Sequence, residues 1–117
     1  MKVACKIWFD NNGKAFGEGP CELLQRVEKT DSLHEAAHQM NMSYSKAWKL
    51  IQIVEKGLGF SFLEKKVGGL AGGGSRVTPE GKEFLRRYER FESDTKRVLE
   101  KTYQKHFGNR STQRGGR

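Results

Sequence analysis

Apolar and polar positions change their period several times along this chain, and each change marks an element. Lys2–Phe9 alternates loosely through Val3, Ile7, Trp8 and Phe9. That alternation predicts a strand, closed by an Asn-Gly type of turn at Asp10-Asn11-Asn12-Gly13. Lys14–Phe16 then reads as a short returning strand. Gly17-Glu18-Gly19-Pro20 breaks the chain, and Pro20 suits a first helical position. Cys21, Leu23, Leu24 and Val27 mark one face of a helix over about 20–30.

The stretch from Ser32 to Gly59 predicts helix, tight turn, helix. Ser32 with Glu35 forms a capping-box pattern, in which the hydroxyl takes an orphan helix N–H and the carboxylate reaches back. Ala36 and Ala37 are small enough for a second helix to cross closely. Met40-Asn41-Met42 interrupts, and asparagine tolerates the left-handed backbone that such a turn needs. Ser43 is the expected N-cap of the next helix. On that helix Ala47, Leu50, Ile51, Val54 and Leu58 recur at spacings of three and four and form one apolar stripe. Its opposite face carries Ser45, Lys49, Gln52 and Lys56, with Lys46 at the edge. Tyr44 and Trp48 sit on the border between the two faces.

Gly59 is the expected helix stop. Phe60–Val67 reads as a strand with a basic end, and Ser75-Arg76-Val77 as its return. Between them Gly68–Gly74 holds five glycines in seven residues. Two strands around such a loop, directly after a helix-turn-helix pair, predict a β-wing whose glycines let backbone N–H groups approach phosphates closely. Thr78-Pro79-Glu80 has the order N-cap, N1 proline, first-turn acid. From there Phe84, Tyr88, Phe91, Thr95, Val98 and Thr102 follow alternating spacings of four and three, a seam expected to dimerise the chain.

Charge sharpens this reading. The net formal charge of +8 is unevenly spread: residues 1–42 carry −1, 43–77 carry +4, 78–107 carry +2 and 108–117 carry +3. Positive density therefore begins at the second helix of the pair and runs through the glycine loop, as a polyanion partner requires. The 117 residues fit one domain with an appended helix, and no apolar run approaches a membrane span. The start of the chain has no secretory pattern, and Cys5 and Cys21 have no metal-like spacing. A cytoplasmic, nucleoid-associated protein without a cofactor or metal is expected.

Two competing chemistries share parts of this pattern. His34-Glu35-Ala36-Ala37-His38 satisfies the H-E-x-x-H pattern of zinc hydrolases, with Glu55 and Glu64 as the carboxylates at a plausible distance for a third ligand. The capping role of Glu35 and the helix crossing at the alanines explain the same residues with less. The glycine loop is spaced like a P-loop but lacks its lysine and lies between strands. The chain is not expected to be an enzyme.

The segments S-L-H-E-A-A-H-Q-M-N-M-S-Y-S-K-A-W and F-L-E-K-K-V-G-G-L-A-G-G-G-S-R-V-T-P-E-G, in this order, resemble the N-terminal DNA-binding domain of the molybdate-responsive ModE regulators and, more distantly, the helix-turn-helix of LysR-type regulators. The resemblance covers about residues 3–90 and rests on Ser43-Tyr44 with Ala47-Trp48, the glycine clusters and Thr78–Gly81. It implies a mainly α fold with a small β-wing: a winged helix-turn-helix over 1–77, a linker and dimerisation helix over 78–107, and a disordered basic tail over 108–117. The expected function is sequence-specific regulation of transcription as a homodimer on double-stranded DNA. Ser43, Tyr44, Ser45, Lys46, Lys49 and Lys56 are the candidate contacts on the recognition helix. Lys65, Lys66, Gly72, Gly73, Gly74, Ser75 and Arg76 are those on the wing. Molybdate binding is not expected, because after the long helix only a basic tail remains. A non-specific architectural DNA binder is the alternative, and a zinc hydrolase through His34 and His38 the remote one.

Overall fold

The computed structural model describes residues 1–66 and 74–108. Their order is β1 (Trp8–Asp10), β2 (Lys14–Gly17), α1 (Glu18–Thr30), α2 (Leu33–Gln39), α3 (Tyr44–Leu58), β3 (Leu63–Lys66), β4 (Gly74–Val77), α4 (Pro79–Tyr103) and a closing π-turn over Gln104–Gly108. The architecture is the expected one, mainly helical with two small antiparallel hairpins. The chain forms two compact units, one spanning Lys6–Arg86 and the other combining Met1–Cys5 with the residues from Arg87 onward.

In the larger unit, β1 and β2 pair through Trp8↔Gly17 and Phe9↔Phe16, and the turn between them uses Asn12 and Gly13 at positive φ. The strand expected over Lys2–Phe9 is confined to Trp8–Asp10 because its partner ends at Gly17, where α1 begins. Leu23, Leu24 and Val27 of α1, Leu33, Ala36 and Ala37 of α2, and Ala47, Ile51 and Val54 of α3 make the three-helix core. Ala36 and Ala37 are fully covered, as close packing of α2 on its neighbours demands.

A second core layer is aromatic. The ring of Phe84 lies 4.8 Å from that of Phe16, 5.6 Å from Phe62, 5.9 Å from Phe60 and 6.2 Å from Phe9. The Phe9, Phe16 and Phe62 contacts are edge-on, the arrangement that the ring quadrupole favours. These rings fasten both hairpins to the first turns of α4, so the compact unit continues past residue 77 to Arg86. Arg86 also pairs with Glu28 of α1 at 2.7 Å.

Three hydroxyls cap helices as expected, but the return half of the capping box is not made: Ser32 N donates to the Thr30 hydroxyl at 3.2 Å, not to the Glu35 carboxylate. The Ser32 hydroxyl accepts from Glu35 N at 2.9 Å, the Ser43 hydroxyl from Lys46 N at 3.0 Å, and the Thr78 hydroxyl from Gly81 N at 3.0 Å. Gly59 ends α3 at φ 87°, where a Cβ would be strained.

The smaller unit holds α4 from Arg87 and the π-turn. Phe91, Val98 and Phe107 are 45 %, 62 % and 61 % exposed, and Tyr103 and Phe107 rings lie 5.8 Å apart. The seam expected from Phe84 to Thr102 is unevenly exposed. Phe84 is half-buried, with its ring in the aromatic cluster, and Tyr88 is 1 % exposed. Thr95 is half-buried and Thr102 exposed, with its hydroxyl donating to Val98 O at 2.8 Å.

Candidate nucleic-acid interface

The interface is built on α2, the turn after it, and α3. Met40 caps α2, Asn41 turns the chain at φ 55°, and Ser43 starts α3. The αL residue redirects the chain within three positions, and the second helix packs against the first. With Ala47, Ile51 and Val54 buried and Leu50 and Leu58 half-buried, the rotation of α3 about its own axis is fixed. The outward side then exposes Tyr44, Ser45, Lys46, Trp48, Lys49, Gln52 and Lys56. Tyr44 and Trp48, whose border positions left their orientation open, are 49 % and 42 % exposed. The ring of Tyr44 lies 5.7 Å from that of His34, at the start of α2.

The C-terminal end of α3 is held from two sides. On one, Asn11 Nδ2 donates to Gly57 O at 2.8 Å, and a Cβ at Gly57 would come within 3.0 Å of the Ala15 methyl. On the other, the Glu55 carboxylate accepts Phe62 N at 2.7 Å and Leu63 N at 3.3 Å. Sequence reasoning missed this role, placing Glu55 only as a third zinc ligand. The neighbouring sequence carries no signal for it, because both N–H groups belong to residues beyond the helix end, at Phe62 and Leu63.

The wing follows directly. β3 and β4 pair from Leu63↔Val77 to Lys66↔Gly74. Within the described residues the strand expected from Phe60 starts only at Leu63, because Phe60 and Phe62 enter the aromatic cluster and the Phe62 N–H goes to Glu55. At the far edge of the hairpin, Ser75 N donates to Asp31 O at 3.0 Å. Asp31 is the left-handed cap of α1, at φ 55°, and that backbone aims its carbonyl at β4. Gly74 passes so close that a Cβ there would lie 2.3 Å from the same oxygen. The base of the wing is thus fixed to the helix-turn-helix at Glu55 and at Asp31. Lys65 and Arg76 are exposed on it, Ser75 is half-buried, and Lys66 ends β3. Gly72 and Gly73 lie outside the described residues, as does the tail from residue 109.

The alternative chemistries find no assembly here. His34 and His38 are exposed, and Glu55 is engaged by main-chain N–H groups. Among the described residues no three His, Cys, Asp or Glu side chains converge on a metal position. A half-open cavity of about 600 Å³ lies between β1–β2, the start of α1, and Leu50, Ile53 and Val54 of α3. Its polar lining is Lys6, Lys14, Glu18 and Glu22, without serine, cysteine or histidine. Cys5 is exposed and Cys21 buried, both as thiols. Among the described residues no helix is long and apolar enough to cross a membrane.

Comparison with known proteins agrees with this geometry. The chain is 29 % identical over 98 residues to the molybdenum-pterin-binding protein MopB of Rhodobacter capsulatus, covering 84 % of this chain and 36 % of that one. It is 35 % identical over 63 residues to the molybdenum transport protein ModE of Herbaspirillum seropedicae, covering 54 % and 23 %. It is 30 % identical over 70 residues to the transcriptional regulator ModE of Haemophilus influenzae, covering 60 % and 28 %. The chain thus spans about a third or less of these curated relatives. The resemblance to ModE regulators carried by Ser43–Trp48, the glycine clusters and Thr78–Gly81 is the relationship these comparisons find. The model of the bacterial regulatory helix-turn-helix proteins of the LysR family matches residues 21–82, from the first buried position of α1 to the first turn of α4. With just over half of its length matched, and with the helix pair and wing base in place, the chain belongs to that family.

Proposed function

We propose that this chain binds double-stranded DNA sequence-specifically and regulates transcription. One observation carries the reading: α3 buries Ala47, Ile51 and Val54 on one side and presents hydroxyl, amide, aromatic and lysine side chains on the other, between a fixed turn and a wing pinned at its base. A helix of this kind fits the major groove, about 12 Å wide. Ser45 and Lys49 reach base edges, while Lys46, Lys56, Lys65 and Arg76 meet phosphates and set the register. The role is binding, without catalysis, in the cytoplasm on the nucleoid.

The proposed division is a DNA-binding part over 1–77, a dimerisation helix over 78–107 and a basic tail. Phe91 and Val98, exposed on α4, support association through that helix. A lone helix with such a face loses hydrophobic stabilisation to water that a second copy restores. A two-fold dimer requires a near-palindromic operator. Molybdate is not part of this proposal.

Selection of random duplexes by the purified protein at two salt concentrations tests it. An enriched palindromic site, bound at least about 1,000-fold more tightly than random DNA, is the expected result. Steeply salt-dependent binding with no enriched site would instead favour an architectural, non-specific role.

A further inference from the structure

Four exposed side chains of α3 fall in one row at four-residue intervals: Tyr44, Trp48, Gln52 and Lys56. Residues four apart on a helix are neighbours on its surface, and each interval climbs about 6 Å along the axis. Tyr44 stands beside His34 of α2 and Lys56 lies in the last turn of α3, so Trp48 and Gln52 hold the middle of the row. Trp48 is 42 % exposed on a face that otherwise carries Ser45, Lys49 and Gln52.

The two side chains differ from the lysines in what they recognise. Gln52 carries an acceptor and a donor side by side in one rigid carboxamide. In the major groove adenine presents the matching pair, an N7 acceptor beside an N6 donor, whereas guanine presents two acceptors and leaves the amide oxygen facing another oxygen. Lys49, with donors only, suits guanine and cannot make the adenine match. The apolar face of the Trp48 indole has one apolar counterpart on the floor of the groove, the 5-methyl group of thymine. A separation of about 6 Å corresponds to roughly two base-pair steps of about 3.4 Å.

Resting on the DNA-binding reading above, we infer that Gln52 reads an adenine and Trp48 the methyl group of a thymine within two base-pair steps of it, in each half-site. Both are specificity-determining residues, distinct from the phosphate-directed lysines. Gln52 lies outside the buried stripe, whereas Trp48 keeps more than half of its surface covered, so the folding of Trp48→Ala is checked beside its binding.

The test compares random-duplex selection by the wild-type protein, Gln52→Ala and Gln52→Glu, with folding of each checked by circular dichroism. Gln52→Ala should flatten the preference at one adenine per half-site by about tenfold or more and leave the other positions unchanged. Gln52→Glu should move that preference toward cytosine, whose N4 donates to a carboxylate. For Trp48, duplexes with uracil in place of thymine remove only the methyl group. Wild type should lose about fourfold at one position, the worth of one buried methyl, and Trp48→Ala should bind both duplexes equally. If wild type enriches a site and Gln52→Ala enriches the same site with an unchanged profile, the Gln52 assignment is overturned while the DNA-binding reading stands. Equal binding of thymine and uracil by wild type at every position overturns the Trp48 assignment in the same way. If wild type enriches no site, the sequence-reading function itself fails, and both assignments fail with it.

Discussion

The carboxylate of Glu55, in the last turn of α3, accepts the main-chain N–H of Phe62 at 2.7 Å and so joins the helix proposed to enter the groove to the segment that starts the wing. The same oxygen also accepts Leu63 N, the first residue of β3. A displacement of either element is therefore felt by the other.

Glu55→Ala leaves two main-chain donors without that partner. The expected loss is about 1–3 kcal/mol in stability, the cost of a partly buried donor left unsatisfied. Urea unfolding measures it. Glu55→Gln, which retains an acceptor oxygen, should recover part of the loss, and a stability equal to wild type in Glu55→Ala would show that the carboxylate holds nothing.

Gly74→Ala places a methyl group against the carbonyl oxygen of Asp31, where 2.3 Å is available. Backbone must shift, and the hydrogen bond from Ser75 N to Asp31 O is the first to break. Faster amide exchange at Ser75 and a destabilisation of at least about 1 kcal/mol are expected. Protection at Ser75 equal to wild type would mean that the wing base tolerates the shift.

Ser43→Ala removes the hydroxyl that accepts Lys46 N at the start of α3. Loss of such a cap costs about 1 kcal/mol. Because the first turn of α3 carries Tyr44 and Ser45, fraying there should lower affinity for the selected site beyond the change in stability. Calorimetry and a binding titration on the same variant separate the two.

Lys49→Ala should weaken binding to the selected site more than to random duplex, whereas Arg76→Ala, on the wing, should weaken both about equally and reduce the slope of log affinity against log salt by close to one unit. Equal loss on both duplexes for Lys49→Ala would remove the claim that this side chain reads sequence.

Val98→Asp puts a charge in the most exposed apolar position between Phe91 and Thr102 on α4. A dimer built on that helix should dissociate to a monomer in sedimentation at micromolar concentration, with the spectrum of the winged unit unchanged. A variant that sediments as wild type would place the contact elsewhere.

What the sequence made legible was governed by local chemistry. Ser32, Ser43 and Thr78 cap helices because a hydroxyl one residue before a helix has few other uses, and Asn41 and Gly59 turn the chain because few residues accept a left-handed backbone. The apolar stripe of α3 set its orientation directly, and with it the exposure of Ser45, Lys49 and Lys56. What stayed hidden depended on partners distant along the chain. A heptad-like spacing does not say which rings meet, and Phe84 meets Phe16 and Phe62 of its own unit. Nothing near Asp31 in the chain reveals that its carbonyl holds Ser75, and nothing near Glu55 distinguishes a metal ligand from a brace. Trp48 stood on the border of two faces, where a helical wheel cannot decide, and the folded unit leaves it 42 % exposed.

α3 is capped within its own first turn by Ser43, is tied to neighbouring segments at Glu55 and Gly57, and faces the core with its inner stripe. The outward positions between them take no part in this mounting. Positions 45, 48, 49 and 52 can therefore be rewritten as a cassette: transplanted onto a relative's helix of equal length, they should carry the operator preference with them, and a library at these four sites would evolve new operators on an unaltered chassis.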